Sequence, residues 1–95
     1  MKIQYDPDFL KILKKADVRI RKSLRIRIEI FLKNPSDPKL NNHRLKDEYA
    51  GYRSIDITAD YRVIYEEINE GNESIAYFLF IGRHELLYGH LKKIS

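Results

Sequence analysis

The sequence predicts an α+β domain in which N-terminal helices pack on an antiparallel β-sheet. Two observations carry this. Apolar residues recur at helical spacing as far as residue 33 and at a period of two after Gly51. Between the two regimes lies Asn34-Pro35-Ser36-Asp37-Pro38, where two prolines in four residues cannot continue a helix. A run of helices followed by a run of strands marks α+β, because each class must bury its apolar side against the other. The 95 residues, 43% of them hydrophobic, suffice for one compact core, and residues 1–95 read as one domain.

Taken in order, Ile3-Gln4-Tyr5 is a short strand. Asp6 can cap a helix whose first turn accommodates Pro7, and Phe9, Ile12, Leu13 and Ala16 then form its apolar stripe, with Lys11, Lys14 and Lys15 opposite. From Asp17 to Lys33 two patterns compete: Ile20, Leu24, Ile28 and Phe31 suit a helix face, while Leu24 to Ile30 alternates like a strand. Length and the lack of an internal turn favour helix. Lys39 to Lys46 is expected to be a loop. Tyr52, Ile55 and Ile57 fall near one strand, with Tyr61–Tyr65 and Ser74–Ile81 giving two more. Thr58-Ala59-Asp60 and Glu70-Gly71-Asn72-Glu73 supply hairpin turns, so an antiparallel meander follows. Gly82 is expected to break the last strand, leaving Arg83–Tyr88 for a terminal turn or short helix before a basic tail.

Composition removes several classes of function. With no cysteine there is no disulfide framework, thiolate metal site or cysteine nucleophile, which fits a reducing cytoplasm. No apolar run is long enough for a signal peptide or a membrane span, so neither secretion by that route nor a membrane location is expected. His43, His84 and His90 lack metal-ligand spacing, and the four glycines are too scattered to cradle a triphosphate. No metal or cofactor is expected. The net charge of +4 is unevenly spread: residues 1–46 carry 13 Lys/Arg against 5 Asp/Glu, and residues 47–95 carry 5 against 9. The basic half is the footprint expected for a phosphate backbone or an acidic protein partner, and its bland alternative is a solvated helical face.

The polar residues that could do chemistry gather near strand ends: His43 and Arg44 before the sheet, Asp60 in the hairpin, Arg62 after it, and Arg83-His84 beyond the final strand. A meander can bring the Asp60 turn beside the Gly82 end, with His43 delivered by the loop. Each has a plainer reading, since Asp60 is a residue tight turns use for their own backbone bonds and His84 could cap the terminal turn.

The stretch from Leu40 to Tyr65 (LNNHRLKDEYAGYRSIDITADYRVIY) with Ile81–Tyr88 (IGRHELLY) resembles the YafQ-type toxins of the RelE/ParE superfamily. The likeness extends through the two preceding helices to nearly the whole chain. It implies a RelE-like fold with a twisted sheet, and the toxin of a type II toxin–antitoxin system. It further implies a metal-independent mRNA endonuclease working in the ribosomal A site, held silent by a cognate antitoxin in a hetero-oligomer. In such enzymes the RNA 2′-hydroxyl attacks the adjacent phosphate, leaving a cyclic phosphate and a 5′-hydroxyl. By position His84 is then the general acid, a role imidazole suits because it titrates near neutrality. His43 and Asp60 share the roles of base and positioning group, and Arg62 binds the phosphate. Tyr61 and Tyr88 stack on bases, and Arg83, Arg44 and Lys46 hold RNA. Two positions depart from the family pattern. Asp56 stands where a histidine is common and Phe80 where an arginine is common, which implies weaker phosphate stabilisation unless Arg62 or Arg83 substitutes.

Two rivals remain at this level. ParE-like members of the same fold poison DNA gyrase and need no RNA-cleaving residues. A non-enzymatic RNA-binding module would use the basic helices and leave the histidines incidental. The set His84, His43 and Asp60 favours the nuclease, because a protein-binding inhibitor has no use for it.

Overall fold

The computed structural model describes residues 1–83. A five-stranded sheet is covered on one face by two helices. Strand β1 (Lys2–Tyr5) leads into helix α1 (Pro7–Lys15), whose N-cap Asp6 accepts the Asp8 N–H at 2.8 Å. Helix α2 (Val18–Lys33) starts at Asp17, which accepts the Arg19 N–H at 2.8 Å. The competition between helix and strand in this stretch is decided by what each would bury. As a helix, α2 sinks Leu24 and Phe31 into the core and packs Ile20 and Ile28 at its margin, while Ile26 stays 57% exposed. A strand would have put Ile26 on the same face as Leu24 and Ile28.

The expected loop from Lys39 to Lys46 holds more order than its sequence announces. A 3₁₀ turn at Pro38–Leu40 buries Leu40, and His43–Arg44 form a two-residue strand β2 on the sheet edge. Asn42 fixes this segment: its Nδ2 donates to the Pro35 carbonyl (3.0 Å) and to the Tyr65 hydroxyl (2.8 Å), while its Oδ1 accepts from Arg53 Nε (2.9 Å). Arg27 Nη1 adds a bond to the Lys39 carbonyl.

Strands β3 (Tyr52–Asp56), β4 (Tyr61–Glu70) and β5 (Glu73–Arg83) form the predicted meander, and the sheet order is β1-β5-β4-β3-β2. All pairs are antiparallel except β1 with β5, which run parallel along one edge with Lys2 opposite Ile75. Gly71, at φ +59°, makes the β4–β5 turn, a conformation glycine adopts without steric cost. Gly82 does not end the last strand: it pairs with Arg62, and Arg83 pairs with Tyr61. The remainder of the expected terminal turn lies outside the described residues.

A bulge sets the two faces of β5. Ile64 pairs with Phe80 and Tyr65 with Phe78, so Leu79 is the extra residue. The parity change sends Ala76, Phe78 and Ile81 to the helix side, where they join Phe9, Phe31, Ile55, Val63 and Tyr65, and turns Phe80 to the other face. Phe78 is the centre of the core, with ring centroids of Tyr5, Phe9, Phe31 and Tyr65 all 5.7–5.8 Å away. The opposite face carries a smaller cluster, Leu45 and Ile64 with Tyr49, Tyr52 and Phe80 around them. Among the described residues no helix is long and apolar enough to cross a membrane.

Candidate functional site

Register and burial divide the predicted site between two places. On the face away from the helices, His43 lies opposite Ser54, which lies opposite Ile64, and Asp56 lies opposite Arg62 in the row nearer the hairpin. His43 and the Asp56–Arg62 pair therefore share one face, two residues apart along β3. Asp60, Tyr61 and Arg83 instead line a cavity of about 460 Å³ at the helix-side end of the sheet, together with Asp17, Arg19 and Ser23 from the start of α2. The Asp60 turn does lie beside the end of β5, as the meander predicts. No hydrogen bond or ion pair among the described residues joins Asp60 to His43.

His43 is exposed at the sheet edge, and its Nδ1 lies 2.9 Å from the Asn41 carbonyl oxygen. A carbonyl can only accept, so in the neutral ring Nδ1 carries the proton and Nε2 keeps its lone pair. The residue presenting that carbonyl, Asn41, sits in the left-handed region at φ 48°, ψ 45°, where asparagine is better tolerated than most residues. Arg44, Lys46 and Asp47 line with His43 a shallow cleft of about 330 Å³.

Arg62 is held from several sides. Its Nη1 donates to the carbonyls of Thr58 (3.0 Å), Ala59 (3.2 Å) and Tyr61 (3.2 Å), closing the hairpin loop from below. Its Nε lies 2.8 Å from Asp56 Oδ1. That oxygen is enclosed and receives no directed hydrogen bond, so the contact is an ion pair whose N–H points off the line. Asp56 Oδ2 is reached by Asn41 Nδ2 at 3.4 Å. Among the described residues nothing bonds to Arg62 Nη2.

The chain His43–Asn41–Asp56–Arg62 was only half visible in the sequence. Asp56 registers there as a departure from a family pattern, and Asn41 not at all. One signal was available: Asp56 and Arg62 stand symmetrically about the turn, so any hairpin closing on residues 58–60 sets them opposite each other. His84 and Tyr88 lie outside the described residues.

Elsewhere three tyrosine hydroxyls feel their surroundings, and burial raises that of Tyr5. Burial pushes the Tyr65 phenol up, against the opposing effects of Asn42 and Arg53. Tyr77 is also raised, chiefly because its hydroxyl donates to Asp6 Oδ2 at 2.9 Å. The described residues contain no group of three or more His, Asp or Glu able to hold a metal ion.

Comparison with known proteins adds a family and a set of folds. The family model described as the ParE toxin of type II toxin–antitoxin systems, parDE, matches residues 3–88. No curated protein matches the sequence. Among solved structures, a YoeB/ParE toxin from Agrobacterium tumefaciens superposes with a TM-score of 0.72 at 23% identity, covering 88% of this chain and 99% of that one. YafQ from E. coli strain BL21(DE3) gives 0.72 at 24% identity, covering 93% and 98%. The RelB–RelE antitoxin–toxin complex from Methanococcus jannaschii gives 0.65 at 25% identity, covering 90% and 95%.

Proposed function

Because the chain belongs to the ParE toxin family of type II toxin–antitoxin systems, within the RelE/ParE superfamily, we propose that it is a YafQ-like ribonuclease toxin. In this reading it cleaves mRNA in the ribosomal A site without a metal and is silenced by a cognate antitoxin. The observation that carries the reading is the presentation of His43, tied down through Nδ1 with Nε2 outward, on the face that also holds Arg62.

The chemistry follows from that arrangement. His43 Nε2 takes the proton of a ribose 2′-hydroxyl, and the 2′-oxygen attacks the adjacent phosphorus. The charge gathering on the non-bridging oxygens is met by Arg62 through Nη2. The bond to the 5′-oxygen breaks as His84 delivers a proton to it, leaving a 2′,3′-cyclic phosphate and a 5′-hydroxyl. Arg44 and Lys46 hold the strand beside His43, while Tyr61, Arg83 and Tyr88 are assigned to flanking nucleotides. His43 ranks ahead of Asp60 as the base. Asp60 lines the helix-side cavity instead.

The antitoxin is read as a segment whose acidic residues meet the basic helices, where Leu10, Val18, Ile26 and Leu32 are also exposed. A second reading, inhibition of DNA gyrase, is favoured by the commitment of Arg62 to three carbonyls and a carboxylate, which reduces its call on a phosphate. One experiment separates them: induce the chain, His43→Ala and His84→Ala in a bacterial host and map mRNA 5′ ends. Cleavage phased with the reading frame, lost in both variants, supports the nuclease. Arrest with intact mRNA and altered plasmid supercoiling favours gyrase.

A further inference from the structure

We propose that Asn41 is a positioning residue whose left-handed backbone aims its carbonyl at His43 and so fixes the imidazole in the Nδ1–H form. The inference rests on reading His43 as the proton acceptor for its effect on cleavage, but its structural half stands on geometry alone.

Three observations carry it. First, the bond spans only two residues, with Asn41 O 2.9 Å from His43 Nδ1, so the ring orientation is set locally by the backbone of one residue. That residue is at φ 48°, ψ 45°. An extended or right-handed Asn41 would swing the carbonyl away from the ring, because rotating φ and ψ moves that oxygen directly. Second, the peptide cannot drift. Asn41 donates its N–H to the Pro38 carbonyl at 3.2 Å, and the next residue, Asn42, is tied to Pro35, Tyr65 and Arg53. Third, the Asn41 side chain points along the same face, its Nδ2 3.4 Å from Asp56 Oδ2 and thus next to the partner of Arg62. One residue therefore touches both the histidine and the ion pair assigned to phosphate. A histidine whose tautomer is set by a second group is a recurring arrangement, and here that group is main chain.

The test uses the full-length chain labelled with ¹⁵N, observing the ring nitrogens of the neutral imidazoles by long-range ¹H–¹⁵N correlation. His43 is assigned by loss of its signals in His43→Gln. Asn41→Gly removes the side chain but adopts the left-handed conformation freely, whereas Asn41→Val strongly disfavours it. The Nδ1–H pattern is expected in the native chain and in Asn41→Gly, and its loss in Asn41→Val. Asn41→Ala serves the same purpose should the valine variant not fold. An Nε2–H pattern in the native chain overturns the proposal, as does an unchanged pattern in Asn41→Val or Asn41→Ala. Loss in Asn41→Gly also overturns it, by moving the agency from main chain to side chain. Cleavage of ribosome-bound mRNA is then compared. A kcat at least tenfold lower for Asn41→Val than for Asn41→Gly, with KM held, is expected. Should the tautomer move as stated while cleavage does not, the reading of His43 as the base fails and the placement of Asn41 stands.

Discussion

Replacing Asp56 by alanine should move stability and RNA affinity in opposite directions. The two side chains of the ion pair are 26% and 21% exposed, neither fully wet nor fully buried. Exposed pairs contribute about 0.2–1 kcal/mol and well-shielded charged hydrogen bonds about 1.5–3 kcal/mol. The off-line geometry and residual solvation place this pair at about 1 kcal/mol. Arg62 keeps its three carbonyls, so the hairpin persists. In a domain of this size the loss lowers the melting temperature by roughly 4–8 °C. For RNA the sign reverses. A phosphate on Arg62 Nη2 would sit about 7 Å from the Asp56 carboxylate, a repulsion of roughly 2.4 kcal/mol at an effective dielectric of about 20. Solvent screening at a partly open face removes about half. The remainder corresponds to affinity about tenfold tighter. Fluorescence anisotropy with a short single-stranded RNA, alongside thermal unfolding of the same preparation, measures both. Weaker or unchanged RNA binding accompanied by the stability loss would show that Arg62 only clamps the hairpin, and the argument for it as a phosphate ligand would collapse.

Further outcomes can be checked with standard assays. His43→Gln should lower cleavage of ribosome-bound mRNA by about 10²-fold or more, the usual contribution of general acid–base catalysis, while leaving the fold intact by circular dichroism. Phe78→Ala removes the ring at the centre of four aromatic contacts and should cost about 3–5 kcal/mol in urea unfolding, and a cost under 1 kcal/mol would mean the core is centred elsewhere. At high pH the raised Tyr65 phenol makes the folded state bind more protons than the unfolded chain, so its contribution is whole below about pH 10 and is lost as pH climbs through the folded value. Tyr65→Phe should flatten that alkaline limb, seen in melting temperature against pH. The antitoxin complex should weaken steadily with added salt, and a salt-insensitive dissociation constant would count against acidic contacts on the basic helices.

Much of the fold was legible because its signals are local. Asp6-Pro7 announces a helix start through its own backbone bonds, and Thr58-Ala59-Asp60 and Gly71 announce turns through conformational preference. Three features were not. The strand His43–Arg44 is too short to show a period and exists only because β3 offers it a partner. The continuation of β5 through Gly82 reflects the strands beside it overriding the weak local preference of glycine. The Leu79 bulge is silent in composition, although the three-residue spacing from Phe78 to Ile81 could have suggested it, since two buried residues on one face of a regular strand stand an even number apart. For the candidate site, residue types singled out His43 and Arg62 among others, but sequence spacing could not say that Asp60 lines the helix-side cavity. That depends on how the hairpin end and the start of α2 come to line one cavity.

The parallel pairing of β1 with β5 also governs the order in which the molecule can assemble. Lys2 meets Ile75, so β1 emerges during synthesis well before the strand it pairs with. The loop closed by that contact spans almost the whole described chain and carries a correspondingly large entropic cost, whereas α1, α2 and the β3–β4–β5 hairpins can form from near neighbours. Closure of the β1 edge is therefore expected as a late folding event, and an incomplete chain released before β5 would lack a place to seat β1.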